Sequence, residues 1–455
     1  MPISTSCSQG RALDIESLLS KRIRRWQPGA IRRLIPLGSK PGMISLVPGI
    51  PHPSTFPFAN LSFTVRNPSG GPDETIKLDQ KLVSDAFQYD LAGGNAQLID
   101  WFLELQERVH GFSGGHDWSC CVGNGSQDLI FKAFQVFTDP EDAVIIKSPS
   151  YAGVVGFLGA ENHKLIEIPT DADGIIPAEL EEILSSWPPG RPRPKVLYTS
   201  PTGSNPTGAT CPESRKIEIL LLAQRFDFVI FEDNAYYYLN YDLDPPSMAR
   251  NYLGLEAEVT GASGRVVRFD SLSKVVSSGM RIGFLTGSRQ VVQLVTRLTE
   301  NTNLQPCTTT QVLALALFRH WGHDGFLAHG QAVAALYRRR RDLFCEAARK
   351  HLGALASWHA PAAGMFVWMK LRLPRGKMED SFELMEQGAL QNRVLALPGA
   401  AFFVQGAQTS HVRISFSLIP EDQIDEACAR LANLVRWAWE KAGDDEGASD
   451  SSSSS

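Results

Sequence analysis

The chain lacks the features that would direct it to a membrane, a nucleic acid or a metal ion. No apolar run approaches the length of a bilayer span, and the N-terminal segment has no apolar core of a secretory signal. Lys and Arg number 44 against 49 Asp and Glu, a formal charge of −5, with a pI near 6.1. Neither a phosphate backbone nor an anionic lipid surface is an expected partner for such a balance. Cysteine is scarce, with seven in 455 residues: Cys7, Cys120, Cys121, Cys211, Cys307, Cys345 and Cys428. The number is odd and no pair has metal-ligand spacing, so no metal is expected, and reduced thiols in the cytoplasm are the natural reading. The basic residues Lys21, Arg22, Arg24, Arg25, Arg32 and Arg33 leave mitochondrial import as the second reading, against which Asp14 and Glu16 interrupt the pattern.

What is present is enough apolar material for sizeable cores: 43% of the chain is hydrophobic, and this length suits one large α/β domain with a smaller companion. Residues 1–60 read as an N-terminal arm belonging with the smaller domain. The Pro-rich run Ile44 to Pro53 within it is extended chain crossing a surface. Continuous apolar strands alternate with amphipathic helices over residues 80–325, the pattern of a mostly parallel sheet with its site at the carboxyl edge. Residues 326–441 carry shorter alternating strands and helices, the smaller α+β domain. The tail, residues 442–455, is acidic and then pure serine and is expected to be disordered.

The polar residues that follow the apolar strands carry the chemistry. After the run Val266, Val267 and Phe269 come Ser271, Ser273 and Lys274, with Ser277, Ser278 and Arg281 beyond: an anion site beside an amine. A lysine in a serine-rich loop is ordinarily a solvated one. Between two buried strands and near Arg281, both desolvation and like charge depress its pKa toward a nucleophilic free amine. Gly123-Asn124-Gly125-Ser126-Gln127 joins a strand to a helix, a geometry that aims backbone N–H groups at an anion, although most such turns are only turns. Tyr151 follows the strand Ala143 to Lys147 and reads either as a surface aromatic or as a stacking partner for a flat ring. Asn205-Pro206-Thr207-Gly208 is a turn after Val196 to Thr199. Asp233 and Tyr236 follow Phe226 to Phe231, where an ionised carboxylate either caps a strand or keeps a pyridine nitrogen protonated. Arg413 sits on the alternating strand Val412 to Ser417 and wants a carboxylate, from a salt bridge or from a ligand. Tyr89, ahead of Gly93 and Gly94, reads as a half-buried packing residue.

The Ser271-x-Ser273-Lys274 segment resembles that of fold-type I aminotransferases dependent on pyridoxal 5'-phosphate. From about Ile31 to Trp439 the chain resembles the branch holding kynurenine/2-aminoadipate and fungal aromatic aminotransferases. The resemblance implies a seven-stranded type of large-domain sheet and a homodimer. It makes Lys274 the catalytic residue that carries the cofactor covalently. Ser126, Gln127, Ser271, Ser273 and Arg281 would hold the phosphate, joined by Tyr89 reaching across the dimer. Tyr151 would stack on the ring, Asn205 and Tyr236 would bond its phenolic oxygen, and Asp233 its nitrogen. Arg413 would clamp the substrate α-carboxylate with Asn205 nearby, while Gly49 and Arg32 of the arm approach the rest of the substrate. Two departures bear on the substrate pocket: Pro48 stands where relatives usually have a second glycine, and Ala235 where they often have proline.

The expected activity is transfer of an amino group from an aromatic or 2-aminoadipate-like amino acid to a 2-oxo acid. A carbon–sulfur β-lyase would use the same residues and is the alternative. The effector-sensing half of a transcription regulator is disfavoured, because about forty residues ahead of the arm leave no room for a DNA-binding module.

Overall fold

The structure is a computed structural model that describes residues 13–26, 34, 37, 40–44, 46, 49–67, 71–111, 117–241, 250–374, 376, 378–404 and 406–451. Its centre is an eight-stranded sheet of order β3-β10-β9-β8-β7-β4-β5-β6. The members are β3 (Trp118–Gly123), β4 (Ala143–Ser148), β5 (Lys164–Asp171), β6 (Gly174–Ile175), β7 (Val196–Thr199), β8 (Val229–Asp233), β9 (Val266–Ser271) and β10 (Gly283–Ser288). Two strands precede them, β1 (Ser62–Val65) and β2 (Glu74–Lys77). Strands β5, β4, β7, β8 and β9 pair in parallel, while β10 is antiparallel to both β9 and β3. The eighth strand, beyond the seven expected, is the two-residue β6 folded back antiparallel on β5.

Every residue of β7, β8 and β9 is buried, as parallel strands covered on both faces must be. Their side chains alternate between two layers. Val229 and Phe231 pack with Phe134 and Phe137; Phe228 and Ile230 pack with Ile219 and Leu220. Truncating a ring such as Phe231, fully enclosed, would cost about 3–5 kcal/mol. Parallel pairing forces each connection to cross over a face, so β4, β7 and β8 all present their carboxyl ends along one edge. Since β10 reverses direction after β9, the Lys274 loop lies at that same edge, as does the turn leaving β3.

The helical run Thr308–Leu352 leads to a second, four-stranded antiparallel sheet of order β11-β12-β14-β13. It comprises β11 (Ala356–Trp358), β12 (Phe366–Leu371), β13 (Leu397–Pro398) and β14 (His411–Ser415). The run Thr308–Leu352 is two helices meeting at a kink at Gly322 (φ 62°, ψ −179°), a conformation open essentially to glycine alone.

In the polar stretch Ser62 to Leu78, where Asn67 to Pro72 reads from the sequence as a loop, β1 and β2 pair on either side of it as an antiparallel ribbon. The basic run Arg338 to Arg341, which reads from the sequence as a solvated helix face because one turn spreads four charges around the axis, is more than that. Arg338 donates to the Tyr241 carbonyl, Arg340 to those of Phe416 and Ile419, and Arg341 to that of Pro361; loop carbonyls at the ends of strands need donors, and these arginines supply them. The closing helix, Ile424–Ser451, passes Gly443 into the stretch expected to be disordered. Extending a helix already nucleated and packed costs far less than starting one.

Candidate active site

The loop between β9 and β10 is pinned on both sides of Lys274. The Leu272 N–H donates to the Ile282 carbonyl at 3.1 Å, and the Leu272 and Val275 side chains are buried in the apolar cluster beneath. Lys274 is left half-buried at the wall of a cavity of about 330 Å³. Burial lowers its pKa, and the Arg281 and Arg413 guanidinium groups lower it further against an opposing pull from Asp233. The free-amine character expected from the sequence therefore has both of the causes assigned to it.

Beside the lysine is an anion cradle. The helix Ser126–Phe137 begins after Gly125 (φ 88°) with no side-chain cap, so the N–H groups of its first turn and its dipole are available to an anion. Arg281, itself left-handed at φ 52°, donates to Ser273 Oγ at 3.1 Å, to the Ser278 carbonyl at 3.2 Å and to the Asn124 carbonyl at 3.3 Å. The packing is close enough to require glycine twice. A Cβ at Gly125 would lie 2.3 Å from Arg281 Nη2, and one at Gly283 2.3 Å from the Ser126 nitrogen. Ser271 and Ser273 line the same end of the cavity, where the Ser273 N–H donates to Ser271 Oγ at 3.2 Å.

Asp233 ends β8. Its Oδ2 accepts a 2.6 Å hydrogen bond from the Tyr198 hydroxyl, but its buried Oδ1 has no partner. Burial pushes the carboxyl up to about 6, against the Tyr198 hydroxyl, the Ala235 N–H and the Lys147 charge, which all favour ionisation. An orphaned buried acceptor costs about 1–3 kcal/mol, a penalty that a ligand N–H would remove. The residues therefore fit a phosphorylated pyridine: an anion cradle, a carboxylate lacking one donor, and an amine between them.

The second sheet supplies the remaining wall. Arg413 is on β14, opposite Trp368 of β12, with its guanidinium carbon 4.2 Å from the Phe366 ring centre and 5.1 Å from that of Phe402. Its Nη1 donates to Asn205 Oδ1 at 3.0 Å, which joins the two sheets across the cavity. Its Nε is buried without a partner, and burial holds its pKa below the usual arginine range. Tyr236 meets the edge of Phe366 with ring centres 5.9 Å apart. Tyr151 starts the helix Ala152–Ala160 with its ring over Gly153, and Gln127 Nε2 donates to the Gly153 carbonyl at 3.1 Å.

Ser126, Gln127, Tyr151, Asn205, Asp233, Tyr236, Ser271, Ser273, Lys274, Arg281 and Arg413 thus line one cavity, although they are spread over nearly 290 positions of sequence. Two expected residues are elsewhere. Tyr89 is 55% exposed and Gly49 is exposed on the arm, neither of them at this cavity wall. Arg32 and Pro48 lie outside the described residues. Ser278, one of the hydroxyls read beside Lys274, lines the cavity too; Ser200 and Phe366 also line it and carried no sequence signal beyond position. Tyr198 did carry one, since a phenol in a fully buried strand needs a partner.

Comparisons with known proteins agree with this geometry. The profile of the family "Aminotransferase class I and II" matches residues 84–431. The chain is 56% identical over 422 residues to "Aminotransferase tdiD" of Emericella nidulans, covering 93% of this chain and 96% of that one. It is 37% identical over 427 residues to the mitochondrial kynurenine/alpha-aminoadipate aminotransferase of Mus musculus, covering 90% and 96%. The crystal structure of aminotransferase Aro8 from Candida albicans superposes with a TM-score of 0.86 at 26% identity, over 95% of this chain and 100% of that one. These relatives carry transferase names, so they support transfer and lend nothing to the β-lyase alternative.

Proposed function

The chain belongs to the class I and II aminotransferase family, and we propose that it uses pyridoxal 5'-phosphate to move the amino group of an aromatic or 2-aminoadipate-like amino acid to a 2-oxo acid. One observation carries this reading. An amine of lowered pKa, Lys274, and a buried carboxylate with an unpartnered oxygen, Asp233, share a cavity with two guanidinium groups. When bound, the cofactor supplies an aldehyde that captures amines and a ring that withdraws electrons from the bond being broken.

The chain's own residues do the rest. The first-turn N–H groups at Ser126, with Ser271, Ser273 and Arg281, would hold the phosphate. Asp233 would accept a hydrogen bond from the ring nitrogen and favour its protonated form. Asn205 and Tyr236 would bond the ring oxygen, and Tyr151 would cover a ring face. Lys274 would hold the cofactor between turnovers, and its free amine is the base placed to take the proton from the substrate Cα. Arg413 grips the α-carboxylate of donor and acceptor in turn. Phe366 and Tyr236 keep the reacting carbon away from water.

The active unit is a homodimer in which Tyr89 of each chain reaches the other chain's phosphate, consistent with its exposure outside its own cavity. Gly49 and Arg32 belong to the arm that covers the substrate. The cytoplasm is the preferred location; the mitochondrial name of the mouse relative keeps the matrix as the competitor. The activity is tested by offering purified protein an aromatic amino acid alone. One equivalent of 2-oxo acid should form and the reaction stall, and added 2-oxoglutarate should restore turnover. Sustained release of ammonia with no 2-oxo acid present would overturn the reading.

A further inference from the structure

One buried charge near the cavity has no part in the scheme above. Lys147 is the fifth residue of β4 and 2% exposed. Its Nζ donates to the Pro149 carbonyl at 3.2 Å and to Ser204 Oγ. Pro149 lies two residues before Tyr151, and Ser204 immediately precedes Asn205. One amine therefore bonds both the strand end that presents the ring-covering tyrosine and the turn that presents the ring-oxygen ligand.

Among the described residues the groups packed around this amine are uncharged except for Asp233. Its register neighbour on β5 is Ile168. Cys211 and Tyr252 share a small void with it, and burial holds both protonated, the thiol pushed up to about 11. Tyr198 on β7 is likewise held protonated by burial and by its bond to Asp233. Asp233 on β8 acts on Lys147 by its charge, and the effect is mutual. Desolvation lowers the amine to about 7 while Asp233 pulls it up.

We propose that Lys147 is a positioning residue for the transfer reaction: it holds the Tyr151 and Asn205 segments in register and keeps Asp233 ionised for the ring nitrogen. This rests on the reading of the cavity as a pyridoxal phosphate site. A charged amine enclosed in protein and bonded to two loops loses its hydration for those partners, and these loops present the walls of the cavity. The role is indirect, because Lys147 does not line the cavity itself.

The test is equilibrium binding of pyridoxal phosphate to apoprotein, followed by absorbance from about pH 5 to 8. In the wild type, affinity should fall on the acid side as Asp233 takes up a proton. Lys147→Met keeps length and removes charge and donors. It should weaken binding about tenfold, the worth of one charge-assisted hydrogen bond, and move the acid limb up by about one pH unit, because the carboxylate loses its cation. Ser204→Ala removes only one partner and should weaken binding by roughly threefold with the limb unmoved. A Lys147→Met profile superimposable on wild type overturns the proposal. If that variant does not fold, unchanged affinity in Ser204→Ala overturns it. Wild-type apoprotein that binds no pyridoxal phosphate sinks the cavity reading along with it, which is a different outcome from equal binding by both proteins.

Discussion

Replacing Arg413 by alanine should slow both halves of the reaction by a similar factor, and the size of that factor follows from the donor inventory. The guanidinium has five N–H groups. Nη1 is engaged by Asn205, the guanidinium carbon stacks near the rings of Phe366 and Phe402, and Nε is buried without a partner. The edge formed by Nε and Nη2 is therefore the one left for a carboxylate, and it offers two parallel bonds. Charge-assisted bonds are worth about 1.5–3 kcal/mol each, so losing two costs about 3–6 kcal/mol, or roughly 10²- to 10⁴-fold in kcat/KM.

Donor and acceptor present the same carboxylate, so single-turnover rates with an amino acid alone, and with a 2-oxo acid alone after conversion, should fall together. Arg413→Lys keeps a charge without the fork and should recover part of the loss. The amide of the donor, which has no carboxylate, should react at nearly the same rate with wild type and Arg413→Ala, closing a double-mutant cycle. Cofactor content should stay close to wild type as a control for the broken bond to Asn205. If the donor rate falls a hundredfold and the acceptor rate does not, the two substrates do not share a clamp. If both change less than about threefold, Arg413 is only a tie between the sheets.

Three further outcomes are expected. Lys274→Ala should lose the yellow colour of covalently held cofactor, and borohydride reduction of wild type followed by peptide mapping should label Lys274; a label on another lysine would refute the assignment. Tyr198→Phe removes a bond to the ionised form of Asp233, so the carboxyl pKa rises from about 6. The carboxylate is the binding form, and cofactor affinity should therefore start to fall about one pH unit higher than in wild type, whereas an unmoved limb in a pH titration would show that the phenol is not coupled to the site. Tyr89→Phe and Lys274→Ala proteins, each impaired, should regain activity when mixed and re-formed, because hybrid dimers hold one site free of both changes. A fully active monomer in sedimentation would contradict the shared site.

The parts of the site that the sequence displayed are those set by a local rule. Lys274, Asp233, Asn205 and Tyr151 each follow the end of a recognisable apolar strand, and the parallel sheet then brings those ends to one edge. Arg413 was visible because an arginine among apolar neighbours on an alternating strand needs an anion. Tyr89 and Gly49 were named through the family resemblance, and within one chain neither reaches the cavity. The basic run Arg338 to Arg341 was misread because its acceptors are carbonyls from about 20 to nearly 100 positions away, which no helical periodicity encodes.

What stayed hidden lies inside the buried strands, where a polar residue looks like noise in an apolar run. Tyr198 finds Asp233 across 35 positions and Lys147 finds Ser204 across 57. Arg268 is fully enclosed, bonded to Asp270 at 2.7 and 2.8 Å and 3.9 Å from Glu232. Each would be costly alone, because a buried polar group without a partner forfeits its hydration. In a parallel sheet the main chain satisfies its own hydrogen bonds, so such a side chain must find its partner on a neighbouring strand or in the loop that follows one. The loops at the carboxyl edge also carry the ligand-binding groups. A stray Lys or Tyr near the end of a buried parallel strand is therefore well placed to act on the residues that line the cavity while remaining outside it, and that is how Lys147 and Tyr198 stand to Asp233.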